Sequence, residues 1–210
     1  MRIVSLTILC LALAAIPAFG QAWTYDNGPI NGTTDAWTIN FGYIVSDTFT
    51  AGGASVTGFS FGTWEFSGDV LSSVDWSITT AENGGTVIGS GTASGKGISD
   101  TFISSNQYGY DVDNIAVTGL NVATTSGTSY WLNLQNAVVP SGDPVFWDEN
   151  SGVGCKGSGC PSMASESSVG TIPGEAFTIG GTGSTPEPSS IMLFGSGILG
   201  LAGVLRRKLF

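Results

Sequence analysis

The chain has 210 residues, 16 acidic against 6 basic side chains, no histidine and a formal charge of −10. The missing imidazole excludes Ser-His-Asp and Cys-His catalysis and any zinc or copper centre that needs a histidine ligand. The acidity disfavours nucleic acid and anionic lipid as partners, because both are themselves polyanions.

In chain order, the first element is "MRIVSLTILCLALAAIPAFG". Arg2, an apolar run from Leu9 to Ile16, then Pro17 and small residues follow the order of a secretory signal peptide, placed at 1–20. Cleavage after Gly20 or after Ala22 both fit the small-residue pattern. Cys10 lies inside the apolar run, so the segment does not read as a lipoprotein signal. Export is the expectation. Residues 21–183 then form one domain, long enough to bury a sizeable core. Within it, fifteen Asp and Glu face only Lys96 and Lys156.

That domain shows no convincing 3.6-residue apolar period, and two-residue alternation predicts strands throughout. The first is "FGYIVSDTFTA", β-branched and aromatic from Phe41 to Phe49. "GFSFGTWEF" alternates Phe59 and Phe61 with Ser60 and Gly62, its glycines suggesting a bulge or bend. In "VLSSVDWSITT", Val74, Trp76 and Ile78 share one face and Asp75, Ser77 and Thr79 the other. Asn83-Gly84 in "AENGGT" predicts a type I′ hairpin turn, which needs positive φ at both central residues. "GTVIGSGTA", "ISDTFIS", "DNIAVTGLNV", "SYWLNLQNAV" and "GEAFTIGG" complete the set. The fold class expected is all-β: an antiparallel, jelly-roll-like β-sandwich of eight to ten strands. Phe59, Phe61, Trp76, Phe102, Tyr130, Leu132 and Leu134 are the residues expected between its sheets.

Two clusters on these strands carry candidate chemistry. Asp111, Asp113 and Asn114 in "YGYDVDNI" offer hard oxygen ligands of the type calcium prefers, without the spacing or the glycine of an EF-hand loop. A polar turn or the solvated face of a strand is the commoner origin of such a group. Calcium is the one cofactor this chemistry allows; otherwise none is expected. In "PVFWDEN", Trp147 with Asp148, Glu149 and Asn150 suits glycan contact, a ring to stack on a sugar beside groups that bond its hydroxyls. Trp64-Glu65 has the same character, and either tryptophan could instead be core; exposure of the rings decides. Paired carboxylates, Asp111 with Asp113 or Asp148 with Glu149, are the one catalytic option left, as a glycosidase would use them. With fifteen carboxylates such pairs arise without any site, so the expectation is a non-enzyme.

Residues 150–174 lack periodicity and read as a long loop. Cys155 and Cys160 in "GCKGSGCP" predict a local disulfide, since an exported chain meets oxidising conditions. A metal knuckle would need a second ligand pair, and a redox motif two intervening residues rather than four. From Gly180 to Ser184 the composition predicts a flexible linker.

The tail at 184–210 is different in kind. After Pro186-Glu187-Pro188, the stretch Ile191–Leu205 has no charge, and Arg206, Arg207 and Lys208 follow. This predicts a short hydrophobic helix, below the about 20 residues of a permanent span. The basic cluster would hold its end on the cytoplasmic side during a transient stay in the inner membrane. An ordinary tail anchor is the alternative.

"PEPSSIMLFGSGILGLAGVLRRK" resembles the PEP-CTERM sorting signal, with Pro186, Glu187, Pro188 and Ser189 matching its motif and Leu199–Gly203 its small-residue span. The resemblance implies an exopolysaccharide-producing Gram-negative bacterium, an exosortase-type membrane processing enzyme as partner, and a destination at the cell surface or in the extracellular matrix. Exopolysaccharide is the second partner implied. The domain also resembles those found ahead of this signal, in "SVDWSITT", "YWLNLQNA" and "PVFWDENSG", which implies no activity. The function expected is therefore a non-catalytic surface or matrix protein, with a carbohydrate-binding module as the alternative.

Overall fold

The computed structural model describes residues 23–150 and 164–183. The segment read as a signal peptide, Cys155 and Cys160 with their expected disulfide, and the stretch from residue 184 onward fall outside the described residues. Among those residues, no helix is long and apolar enough to cross a membrane.

Thirteen strands are described: β1 (Trp23–Asp26), β2 (Ala36–Thr38), β3 (Ile44–Thr50), β4 (Gly53–Phe66), β5 (Ser73–Ala81), β6 (Gly84–Ser94), β7 (Ile98–Ser105), β8 (Tyr110–Ala123), β9 (Ser129–Val138), β10 (Phe146–Asp148), β11 (Ala164–Glu166), β12 (Gly170–Ile172) and β13 (Phe177–Gly183). They form two antiparallel sheets, one of seven strands and one of six. The six-stranded sheet runs β12-β11-β3-β9-β5-β6. In the seven-stranded sheet the 14-residue β4 is the axis. β8 pairs along one of its edges, with β7 beyond, while β13 and then β10 share the other edge.

The core lies between the sheets, filled by the alternating apolar residues. Phe59, Phe61, Ile115, Val117, Phe177 and Ile179 from the first sheet meet Val45, Phe49, Val74, Trp76, Ile78, Leu132 and Leu134 from the second, all buried. The rings of Phe59 and Trp76 meet edge-on, centroids 6.1 Å apart. Each such side chain contributes about 1.5–3 kcal/mol of burial free energy.

Several expectations need correction. Phe102, expected in the core, is 59% exposed, because β7 is an edge strand with a register shift between Phe102 and Ser104. The β5–β6 hairpin forms, but Ala81 pairs with Gly84, so Glu82 and Asn83 are the central residues. Positive φ falls on Asn83 and Gly85, not Gly84. Asn83 is held there by Ser46 and Ser165: its N–H donates to Ser46 Oγ (2.9 Å) and its Nδ2 to Ser165 Oγ (3.0 Å). The stretch from Gly180 to Gly183, read as the start of a linker, belongs to β13 and pairs with β4. A Cβ on Gly181 would lie 2.4 Å from the Ser55 carbonyl oxygen, so the glycine is there for close strand approach. The long loop is also shorter than expected, since β11 and β12 pair within it.

Candidate functional site

On β4 and β8, Phe59, Phe61, Ile115 and Val117 face the core, and the two-residue period continues to Thr63, Glu65 and Asp113. The registers Thr63↔Asp113 and Ile115↔Asp100 bring β4, β8 and β7 side by side there. Three carboxylates therefore converge at one end of the sandwich. Ligand oxygens of Glu65, Asp100 and Asp113 all lie within 4.8 Å of one another. Glu65 is 0% exposed and Asp113 4%, with Asp100 half-buried at the mouth.

Few donors serve this cluster. Thr63 Oγ1 donates to Glu65 Oε1 at 2.8 Å, and the Leu71 N–H, from the β4–β5 connection, donates to Asp100 Oδ2 at 2.7 Å. Glu65 Oε2 and Asp113 Oδ2 are buried with no hydrogen-bond partner among the described residues. Burial pushes the Glu65 carboxyl up to about 8; the Thr63 bond opposes this, and the charges of Asp100, Asp113 and Asp69 add to it. Burial, then the charges of Asp100 and Asp111, lifts Asp113 to about 6. Burial raises Asp100 as well, against the Leu71 bond.

The ligand set read from "DVDN" is split by this geometry. Asp113 enters the cluster, but Asp111 Oδ1 accepts from Ser105 Oγ and its Oδ2 from the Gly68 N–H, at 2.9 and 3.2 Å. Those bonds, Ser105's first, lower its pKa. Asn114, one residue on, faces the opposite side of β8 and lines a hollow of about 670 Å³ on the outer face of the seven-stranded sheet. Asp26 is the carboxylate in that lining. Glu65 and Asp100 were missed as partners of Asp113. The alternation Phe59-Phe61-Thr63-Glu65 was the available signal for Glu65; nothing local marks Asp100.

The glycan-contact group is corrected by burial. Trp147 is 0% exposed, its Nε1 donating to the Ala176 carbonyl at 3.0 Å and its ring meeting Phe61 and Phe177 edge-on. It cannot stack on a sugar. Asp148 is buried on the opposite face of β10, where Oδ1 accepts from Trp64 Nε1 (2.6 Å) and the Gly32 N–H (3.0 Å), and Oδ2 from the Asn31 N–H (2.8 Å). Its pKa is raised, burial outweighing those bonds. Glu149 Oε2 accepts from Trp37 Nε1 at 3.0 Å, and Asn150 Nδ2 donates to the Asn27 carbonyl, both residues being buried. Trp64 is buried too, under Tyr108, with centroids 5.5 Å apart. All four residues of "WDEN" thus hold the fold together.

A second buried acidic group lies nearby. The Glu175 N–H donates to Asp47 Oδ2 at 2.7 Å, and Asn27 Nδ2 bridges Asp47 Oδ2 and the Glu175 carbonyl. The Glu175 carboxyl is pushed well above the usual range by burial, then by the charges of Asp47, Glu149, Asp148 and Asp35.

Comparison with known proteins bears on the tail. No curated protein matches the chain. Residues 184–208 match the family model described as the PEP-CTERM protein-sorting motif, a span that holds Pro186, Glu187, Pro188, Ser189 and the basic cluster from Arg206 to Lys208. The chain therefore carries a PEP-CTERM sorting motif, which marks an exported protein sorted through an exosortase.

Proposed function

We propose that the protein is a non-catalytic component of the cell surface or exopolysaccharide matrix, a β-sandwich delivered outside the cell by its sorting tail. The observation that carries this reading is the motif at 184–208, which begins one residue after β13 ends at Gly183. The tail enters the inner membrane only transiently, and cleavage near Pro186-Glu187-Pro188 frees the domain to the outside. Two features of the domain support a non-enzymatic role. The carboxylates of "FWDEN" are committed to loop and tryptophan donors, and the hollow of about 670 Å³ presents Asp26 without a second acid in its lining. The loop closed by a Cys155–Cys160 disulfide would suit the oxidising exterior.

Intact mass combined with cell fractionation tests the reading. The mature protein should lack the residues after the Pro-Glu-Pro region and appear in the outer-surface or matrix fraction. A Pro186→Ala, Glu187→Ala, Pro188→Ala variant should keep its tail and remain with the inner membrane. Full-length wild-type protein resident in the inner membrane would overturn the proposal.

A further inference from the structure

We propose that Glu65, Asp100 and Asp113 form a calcium-binding site at the end of the sandwich where β4, β7 and β8 meet the β4–β5 connection. Three observations converge on it. Oxygens bound to one calcium at about 2.3–2.6 Å lie no more than about 5 Å apart, and the ligand oxygens of these three residues lie within 4.8 Å of one another. Glu65 and Asp113 are almost wholly buried and each aims an oxygen that has no hydrogen-bond partner among the described residues. Such atoms are normally satisfied in a native protein, and a buried carboxylate oxygen left bare is strongly unfavourable.

The ligand chemistry selects the ion. All three side chains are carboxylates, with Thr63 Oγ1 beside them and no imidazole or thiolate among them, so the site suits a hard cation. Three carboxylates binding in mono- or bidentate fashion approach the six to eight oxygens that calcium takes, and solvent reaching the half-buried Asp100 completes the shell. Magnesium sheds water reluctantly and prefers sites that leave it several waters, which two buried carboxylates do not. With calcium bound, β4, β8 and the edge strand β7 are tied together, and through the Leu71–Asp100 bond the ion also fixes the connection that leads to the second sheet.

Calorimetric titration of the exported protein, stripped with EGTA and titrated with calcium chloride, tests it. One calcium should bind with a dissociation constant of about 10⁻⁴–10⁻³ M, the range of extracellular modules. The thermal midpoint should rise with calcium and rise less with the same concentration of magnesium. Glu65→Gln and Asp113→Asn, near-isosteric changes that remove buried charge, should each weaken calcium binding at least tenfold while leaving the calcium-free midpoint equal or higher. Asp100→Asn, at the solvent side, provides a third variant for which folding is not at risk. Absence of binding at millimolar calcium, or equal affinity in wild type and all three variants, would overturn the proposal.

Discussion

Asp148 shows how one side chain can decide the shape of a surface. Three donors converge on its carboxylate, two of them backbone N–H groups of Asn31 and Gly32. It thereby pins the segment between β1 and β2 against the outer face of the seven-stranded sheet, where Ile30 packs over Gly62. Asp148→Asn would turn an NH₂ group toward at least one of those donors and leave it unsatisfied. Hydrogen bonds to a charged acceptor contribute about 1.5–3 kcal/mol each, offset here by relief of a buried charge. We expect a net loss of about 2 kcal/mol, read as a lower urea midpoint with an unchanged slope. An unaltered midpoint would show that the segment is held by its apolar contacts alone. Its neighbour Trp147 carries the opposite lesson: a Trp beside Asp, Glu and Asn looks like a sugar platform in one dimension, yet alternation on β10 sends the ring into the core and the acid outward.

At the level of elements, the long strands announce themselves and the short ones do not. Each of the eight stretches singled out by alternation coincides with a strand: β3 to β9 and β13. The strands missed, β1, β2, β10, β11 and β12, are three or four residues long, too short for a period of two to stand out from chance. Their place depends on pairing with partners far along the chain. β10, for example, exists because Phe146 and Trp147 meet Trp64 and Thr63 on one side and Thr38 and Trp37 on the other. Glycines mark where such elements press together. A Cβ on Gly89 of β6 would lie 2.6 Å from both methyl carbons of Val122 on β8 and 3.2 Å from its Cβ, so no rotation of Val122 clears it. Gly89→Ala should therefore destabilise by about 1–3 kcal/mol through overpacking between the sheets. Chemical denaturation would show it, and a neutral outcome would mean that the sheets part at that end without cost.

For the whole molecule, acidity is the dominant constraint, and it acts most strongly where carboxylates are buried. Glu175 is held above the ordinary carboxyl range by burial and by the charges of Asp47, Glu149, Asp148 and Asp35 around it. Its proton is thus bound more tightly in the folded than in the unfolded chain. Above the unfolded value near 4.5 the native state holds more protons, so stability falls as pH rises through the window up to the raised folded value. In calcium-free buffer the thermal midpoint should be higher at pH 5 than at pH 8. Glu175→Gln should stabilise the fold at pH 8 by about 1 kcal/mol, which raises the midpoint by ~2–4 °C for a chain of this size, and should shrink the difference between the two pH values. A midpoint that climbs from pH 5 to pH 8 would contradict this assignment.

The amino-acid sequence by itself determined the all-β class, the long strands, the buried faces of β4, β5 and β9, and the sorting motif, because each is a short-range pattern: alternation, or a run of adjacent residues. The tail is legible for the same reason, since a processing enzyme reads it as a linear segment. Only the tertiary structure decided which carboxylates share a site. Asp113 has Asp111 and Asn114 as sequence neighbours, but strand alternation turns Asn114 away and local hydrogen bonds occupy Asp111. Glu65 and Asp100 reach Asp113 from 48 and 13 residues away through the registers of β4 and β7 with β8. Register is set by side chains packing across the whole sheet, so this convergence cannot be read from any one stretch of the chain.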